Sequence, residues 1–185
     1  MKKTLLTVII CAFTLLAKAQ DASVEKSVFG IQTGPIGLWV HNESRLSNKI
    51  ALRSEVGLDA SFWSGYNSTD FILGMVISIE PKWYYNLNKR KDKSKRIDGN
   101  SGNFISLKTS FHPDILLASS NDNINLVSDL TIIPTWGIRR NIGNHFNYEA
   151  GFGIGYIHYF NYENLNIIGE SDVGVNLHLR IGYKF

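Results

Sequence analysis

The residue types that could do chemistry in this chain are its histidines and its carboxylates. His41, His112, His145, His158 and His178 are the only imidazoles. A serine-type hydrolase needs Ser, His and a carboxylate converging at one point. None of the five histidines sits in a nucleophile motif. His158, with Glu163 five positions on, comes nearest, and it reads better as an interfacial polar residue than as a base. Two histidines four apart with an acid, a metal-binding signature, do not occur. Gly151-Phe152-Gly153-Ile154-Gly155 resembles part of a dinucleotide fingerprint, but it lies inside an alternating run, where glycines make room for neighbouring strands. The expectation is no catalytic residues, no metal and no cofactor.

A second chemistry lies in the charges. Arg53, Glu55, Asp59, Glu80, Lys82, Lys108, Asp129, Arg139, Glu149, Arg180 and Lys184 all fall on the polar side of segments that alternate polar and apolar. His178 shares that side. Groups of both signs on adjacent strands can pair with one another, which is what buried charges require. The first ten are the candidate site, a network filling the inside of a barrel. The opposite reading, a narrow ion path, would favour one sign over the other.

The elements that must hold these residues follow from a period of two. Val175, Leu177, Leu179, Ile181, Tyr183 and Phe185 alternate with Asn176, His178, Arg180, Gly182 and Lys184. Ile50, Leu52, Val56, Leu58 and Phe62 oppose Arg53, Glu55, Gly57 and Asp59, and Met75, Ile77, Ile79, Pro81 and Trp83 oppose Ser78, Glu80 and Lys82. Ile105, Leu107 and Phe111 oppose Ser106, Lys108 and Ser110. Leu130, Ile132, Trp136 and Ile138 oppose Asp129, Thr131, Thr135 and Arg139, and the run Phe146 to Tyr156 behaves likewise. No segment keeps a helical period, so the chain is all-β.

Tight turns are expected at Ser47-Asn48-Lys49 and Asn141-Ile142-Gly143-Asn144, and longer polar loops at Trp63 to Asp70, Ala118 to Asn125 and Asn161 to Ser171. Short and long connections alternate, as periplasmic turns and extracellular loops do in outer-membrane barrels. Asn88 to Gly102 breaks the pattern, being long and rich in Lys and Arg; it reads as a solvated turn, with anionic headgroups or a periplasmic partner as the alternative. Seven obvious strands would leave the two ends of the chain on opposite sides. Dividing the first segment at Gly34-Pro35, into Val28–Thr33 and Ile36–Leu46, gives the even number that closure demands. The fold expected is an eight-stranded antiparallel transmembrane β-barrel with up-and-down connections.

The start of the chain has the form of an export signal. Lys2 and Lys3 precede an apolar stretch from Leu5 to Leu16, followed by Ala17-Lys18-Ala19 as a small-x-small cleavage site. That stretch falls short of the ~20 residues a spanning helix needs. The domain reading is a signal peptide at 1–19, a short segment at 20–27 and the barrel at 28–185. The formal charge of +3 comes from 19 basic and 16 acidic residues; cleavage removes Lys2, Lys3 and Lys18, leaving equal numbers of each. The basic balance therefore belongs to the signal and gives no argument for nucleic acid. Cys11, the only cysteine, is removed as well, which excludes disulfides and thiol chemistry.

Three features favour lipid over water around the apolar side. The polar side is heavily charged, whereas the many Trp, Tyr and Phe rings of the other side would crowd a narrow interior. Trp63, Tyr66 and Phe71, then Trp83, Tyr84 and Tyr85, then Tyr159, Phe160 and Tyr162 cluster near strand ends, where membrane interfaces favour aromatic rings. The chain closes on Tyr183 and Phe185, in the manner of the signal read by the barrel assembly machinery.

Glu80-Pro81-Lys82-Trp83-Tyr84-Tyr85-Asn86-Leu87, Ser101 to Lys108, Ile133-Pro134-Thr135-Trp136-Gly137-Ile138-Arg139-Arg140, Asn147 to Gly151 and Leu179 to Phe185 resemble small outer-membrane β-barrel proteins of the Bacteroidota, of the OmpX and OmpA type. The likeness runs over nearly the whole mature chain. It implies a porin-like architecture and an address in the cell envelope, and little about activity. The role expected is structural or interactive, without enzymatic activity, the alternatives being a narrow transport channel or a lipid-modifying enzyme. The partners expected are outer-membrane lipid and, during biogenesis, the assembly machinery, with the barrel itself a monomer and no nucleic acid bound.

Overall fold

Alternating side chains make two-faced strands, and two-faced strands must put one face against a common interior. In a computed structural model, which describes residues 22–64, 69–120, 126–160 and 170–185, they do so by closing on themselves. The strands are β1 (Ser27–Gly34), β2 (Gly37–Arg45), β3 (Ile50–Ser64), β4 (Thr69–Tyr84), β5 (Asn103–His112), β6 (Leu116–Ser119), β7 (Asp129–Ile142), β8 (Phe146–Tyr159) and β9 (Ser171–Lys184). Each pairs antiparallel with its neighbours, and β9 returns to β1, with Lys184 opposite Gly30 and Ile181 opposite Thr33. Closure leaves no open edge along that seam.

Eight strands complete the ring, and β6 is extra only by name. β5 pairs with the Ile77–Tyr84 part of β4, and β6 resumes the same edge at Ile72–Gly74. Pro113-Asp114-Ile115 separates the two, and Pro113 has no N–H to continue the ladder. The first hairpin divides where Gly34-Pro35 marks it, with Gly34 opposite Gly37. β1 is 8 residues long and β2 is 9, against 14 to 16 in β3, β4, β7, β8 and β9.

Three connections differ from the sequence reading. β3 and β4 carry their pairing to Ser64 and Thr69, inside the stretch expected to be loop. β6 lies at the start of the Ala118–Asn125 loop. The basic Asn88–Gly102 turn carries a short helix, α1 (Leu87–Asp92), and a 3-10 turn at Asp98–Asn100. Leu87 is fully buried and anchors α1, while Asn86 accepts the N–H of Asn103 through its side chain. One buried leucine holds such a short helix, which is why no amphipathic period betrayed it. The Asn161–Glu163 stretch, Tyr66 and the signal region fall outside the described residues.

At the end of the barrel bearing the short turns, residues 22–26 and the Asn86–Gly102 insertion fold across the mouth. Ala22 donates its N–H to Asn88 Oδ1 at 3.0 Å, Val24 to the Asn48 carbonyl at 2.9 Å, and Glu25 to Asn100 Oδ1 at 2.8 Å. Ala22, Val24, Ala51, Tyr84, Leu87 and Phe104 form an apolar seal there, with Ile97 packed on it. It is the apolar cluster of the described residues; elsewhere the interior is mainly polar, with Val28, Trp39, Val76 and Ile133 as its buried apolar side chains.

Candidate functional site

Inward positions of successive strands stack directly above this seal. β2 contributes His41 and Glu43, β3 Arg53 and Glu55, β4 Glu80 and Lys82, β7 Arg139, β8 Glu149, β9 His178 and Arg180. All are buried, with Arg139, Lys82 and Glu43 at 0% exposure. The register explains why opposite charges meet. Arg53 lies directly across from Glu43 and Glu80, and Glu149 across from Arg139 and Arg180, so each of these three arginines has an acid beside it on the next strand, while Lys82 reaches its acids across the lumen.

Two carboxylates act as hubs. Glu43 Oε1 accepts from Arg139 Nη1 at 2.7 Å and lies 3.3 Å from Lys82 Nζ and 3.5 Å from Arg53 Nη1. Its Oε2 accepts from the Tyr84 hydroxyl at 3.0 Å and from Asn100 Nδ2 at 2.8 Å. Glu149 receives Arg53, Arg139 and Gln32 on Oε1 at 3.0, 3.3 and 2.9 Å. On Oε2 it meets Lys82 at 3.1 Å and His178 Nε2 at 2.8 Å. Glu55 Oε2 binds Arg53 Nη2 and Arg180 Nη1, each at 2.6 Å. Glu80 accepts from Ser106 Oγ at 2.6 Å and stands 3.6 Å from Lys82. The Arg180 guanidinium lies 3.6 Å over the Trp39 ring and Lys82 4.2 Å over Phe104.

This arrangement pairs its charges with one another. Four carboxylates (Glu43, Glu55, Glu80, Glu149) face four cations (Arg53, Lys82, Arg139, Arg180) with nearly every contact at hydrogen-bond distance. Desolvated ions of this kind are tolerable only when so paired, and each then fixes its neighbours.

Of the ten residues singled out from sequence, seven meet in this network: Arg53, Glu55, Glu80, Lys82, Arg139, Glu149 and Arg180. Three stand apart, nearer the long loops. Asp59 and Asp129 flank His112, at 3.4 Å from Nε2 and 2.7 Å from Nδ1, and Asp59 also accepts from Trp39 Nε1 at 2.6 Å. Lys108 is 9% exposed and has no hydrogen bond or ion pair among the described residues. It lines a cavity of about 120 Å³ with Asp59, Ser110, His112, Asn176 and Arg180. A wider cavity of about 300 Å³ adjoins it, roofed by Leu126 and Val127 and sharing Asp59, His112 and Thr131. Lys184 sits at the other end, 4.0 Å from Glu25 and Asp98.

Sequence reasoning missed Glu43, together with Gln32, His41, Trp39 and Asn100. The signal was present in Trp39-Val40-His41-Asn42-Glu43, which alternates inside the segment taken as the second strand, but its polar residues fall on both faces. Asn100 reaches Glu43 from the insertion rather than from a strand, with its φ of 61° in the left-handed region that asparagine tolerates. No spacing rule could have placed it there.

Outside the barrel, Tyr183 and Phe185 lie at the seam, where Phe185 donates its N–H to the Phe29 carbonyl at 3.1 Å and its ring stands 5.5 Å from that of Phe29. His158 lies 3.8 Å from Glu170 and packs edge-on to Phe160 at 4.8 Å, with no serine hydroxyl bonded to it among the described residues. No cluster of metal-binding side chains occurs among the described residues. Compared with protein-family models, curated proteins and solved structures, the chain matches none, so its role must be read from its own residues.

Proposed function

We propose that this chain is an integral outer-membrane β-barrel, exported by residues 1–19, monomeric, with a structural or interaction role and an interior closed by its own side chains. The observation that carries the reading is the inversion of a soluble protein. Charges fill the inside, while Phe152, Ile154, Val173, Val175, Leu177, Leu179 and Ile181 all project outward and are more than half exposed. An apolar surface continuous around a whole barrel far exceeds the few hundred Å² that monomers normally leave in water. Hydrocarbon removes that conflict, and a closed barrel satisfies the backbone hydrogen bonds that hydrocarbon cannot.

Further support comes from the rings. Trp83, Tyr85 and Trp136 cluster on the outside at the turn end, with Trp136 Nε1 donating to the Tyr85 hydroxyl at 3.0 Å. Phe146, Tyr183 and Phe185 continue the belt. Amphipathic rings at one level suit a headgroup interface. The paired network argues for a plug over a channel, and the lone His158 gives no support to an acyl-transferring or lipid-cleaving enzyme.

The deciding experiment fractionates cells expressing the full chain. The mature protein should sit in the outer membrane, migrate faster unheated than heated, and show no conductance steps in planar bilayers. A soluble periplasmic protein with no heat-dependent mobility would overturn the membrane reading. Steady single-channel steps would overturn the plug alone.

A further inference from the structure

The wall of the barrel is incomplete on one side. β1 and β9 pair only as far as Thr33 opposite Ile181, and β2 and β3 only to Gly37 opposite Asp59, with one more bond from Ala60 N–H to the Ile36 carbonyl. Beyond the Gly34–Gly37 tip, β9 continues for Ser171–Leu177 and β3 for Ser61–Ser64 with no strand on the facing side among the described residues. Two strands are missing from the circumference there. At about 4.8 Å per strand spacing, three spacings separate β9 from β3 by roughly 14 Å. Phe185 donates towards β1, so by alternation Val173, Val175 and Leu177 turn their N–H and C=O into this notch. The same three side chains are among the most exposed apolar groups of the barrel.

Three spaces border the notch. An apolar groove of about 620 Å³ lies outside it, lined by Thr33, Gly34, Pro35, Tyr148, Leu179 and Ile181. The groove shares Leu179 and Arg180 with the inner cavity that Lys108 lines. That cavity opens into the 300 Å³ space beneath the loops, a volume at the lower bound of about 300–1,000 Å³ usual for small-molecule sites. The charges in it are unevenly used. Asp59 is taken by Trp39 and His112, Asp129 by His112, and Arg180 by Glu55. Lys108 is the cation left over after the four-to-four pairing below; among the described residues its ammonium makes no hydrogen bond or ion pair, and Glu55, Glu80 and Asp59 act on it only at longer range.

We infer that the notch is a lateral portal through which a single-chain amphiphile with an anionic head binds, its head on Lys108 and its tail in the outer groove. An anionic head is called for because Lys108 is the charged group of this cavity without a hydrogen bond or ion pair, while Asp59 is held by Trp39 and His112 and Arg180 by Glu55; a chain is called for because the way in is walled by Ile36, Val175, Leu177 and Leu179. A small hydrophilic anion would have no reason to use an opening in the apolar belt. The inference rests on the membrane reading, since the portal faces lipid only if the belt does.

The test uses the full mature barrel in zwitterionic phosphatidylcholine nanodiscs, with dodecanoate as probe, acetate as the tail-less control and dodecylamine as the control of opposite charge. Heat-modifiable mobility is scored first. Binding of one dodecanoate per barrel is expected, with acetate at least about tenfold weaker and dodecylamine unable to compete. Lys108→Met should weaken dodecanoate about tenfold or more, the loss of one charge-assisted hydrogen bond. Asn176→Phe, which fills the inner cavity that Lys108 lines, should abolish binding while leaving the mobility shift. An inserted, heat-modifiable barrel that ignores dodecanoate, or binds it equally with Met at 108, overturns the portal and leaves the membrane reading standing. A protein that never inserts overturns the membrane reading, and the lateral route with it.

Discussion

The two halves of the interior are built from the same strands and differ in how they are filled. In the half near the turns, every strand is paired on both sides, and Glu43, Arg53, Lys82, Arg139 and Glu149 occupy the lumen without a gap, sealed by Tyr84, Leu87 and Phe104. In the half near the loops, β1 and β2 have already ended, the lumen widens into two cavities, and a lysine stands unpaired. Where the wall is complete every lysine and arginine of the lumen has an ion pair; where it is short of two strands, Asp59 and Asp129 are held by His112 but Lys108 has none among the described residues. The length of one hairpin thus separates the filled part of the lumen from the part that holds cavities.

The largest effect should come from removing a hub in the closed half. Glu43→Ala leaves Arg139, Lys82 and Arg53 with less anion than they need, and should lower unfolding stability by about 3–5 kcal/mol. Urea unfolding of vesicle-inserted barrel, followed by loss of the mobility shift, measures it. An unchanged midpoint would mean the network contributes no stability. A paired comparison then separates the halves: Lys82→Met should cost about 3 kcal/mol, whereas Lys108→Met should cost less than about 1 kcal/mol, because no partner is stranded. Equal losses would erase the distinction drawn here.

Packing offers a third contrast. A Cβ at Gly57 would come within 2.6 Å of the Leu38 carbonyl and closer still to the Trp39 ring, while one at Gly174 meets the flexible end of the Ile133 side chain at 3.1 Å and the Tyr156 backbone at an ordinary 3.5 Å. Gly57→Ala should therefore cost about 1–3 kcal/mol, and Gly174→Ala less than about 0.5 kcal/mol. The smallest effect lies outside the barrel. Paired hydrogen bonds from Arg96 hold the Asp98 carboxyl below its ordinary range. The stability it adds is present above the ordinary carboxylate range and lost as pH falls through the lowered value. Both side chains are well exposed, so the gain is slight and weakens with salt. Acid unfolding of Asp98→Ala should differ from wild type at neutral pH and converge with it in strong acid; a constant offset would locate the effect elsewhere.

Much of this was legible beforehand, because a period of two states both the strand and its face. β3 to β5 and β7 to β9, with their inward charges, could be read from alternation alone, and parity located the first hairpin at Gly34-Pro35. What could not be read depended on position along the axis. Alternation places Asp59, Lys108 and Asp129 on the inner face, but only the register shows that they sit a level above the paired network. Glu43 escaped notice because polar Asn42 blurs the contrast between faces in β2. The insertion was opaque for a different reason: α1 is held by one leucine and by side-chain amides of Asn86, Asn88 and Asn100, contacts across long sequence separations that no local pattern encodes.

The seam between β1 and β9 sets an order of events. Its residues stand about 150 positions apart, so it is the contact of greatest loop-closure cost in the ring and of slowest formation. Every other strand pair joins neighbours in sequence and can zip as a growing sheet. A curved sheet bearing Arg53, Glu55 and Glu149 on its concave side would expose incompletely paired charge until its last strand arrives, since His178 and Arg180 on β9 supply partners to Glu149 and Glu55, and Gln32 on β1 bonds both Arg53 and Glu149. Closing the barrel and neutralising its interior are therefore one cooperative step, and a chain lacking its final strand should remain an open, sticky intermediate rather than a smaller barrel.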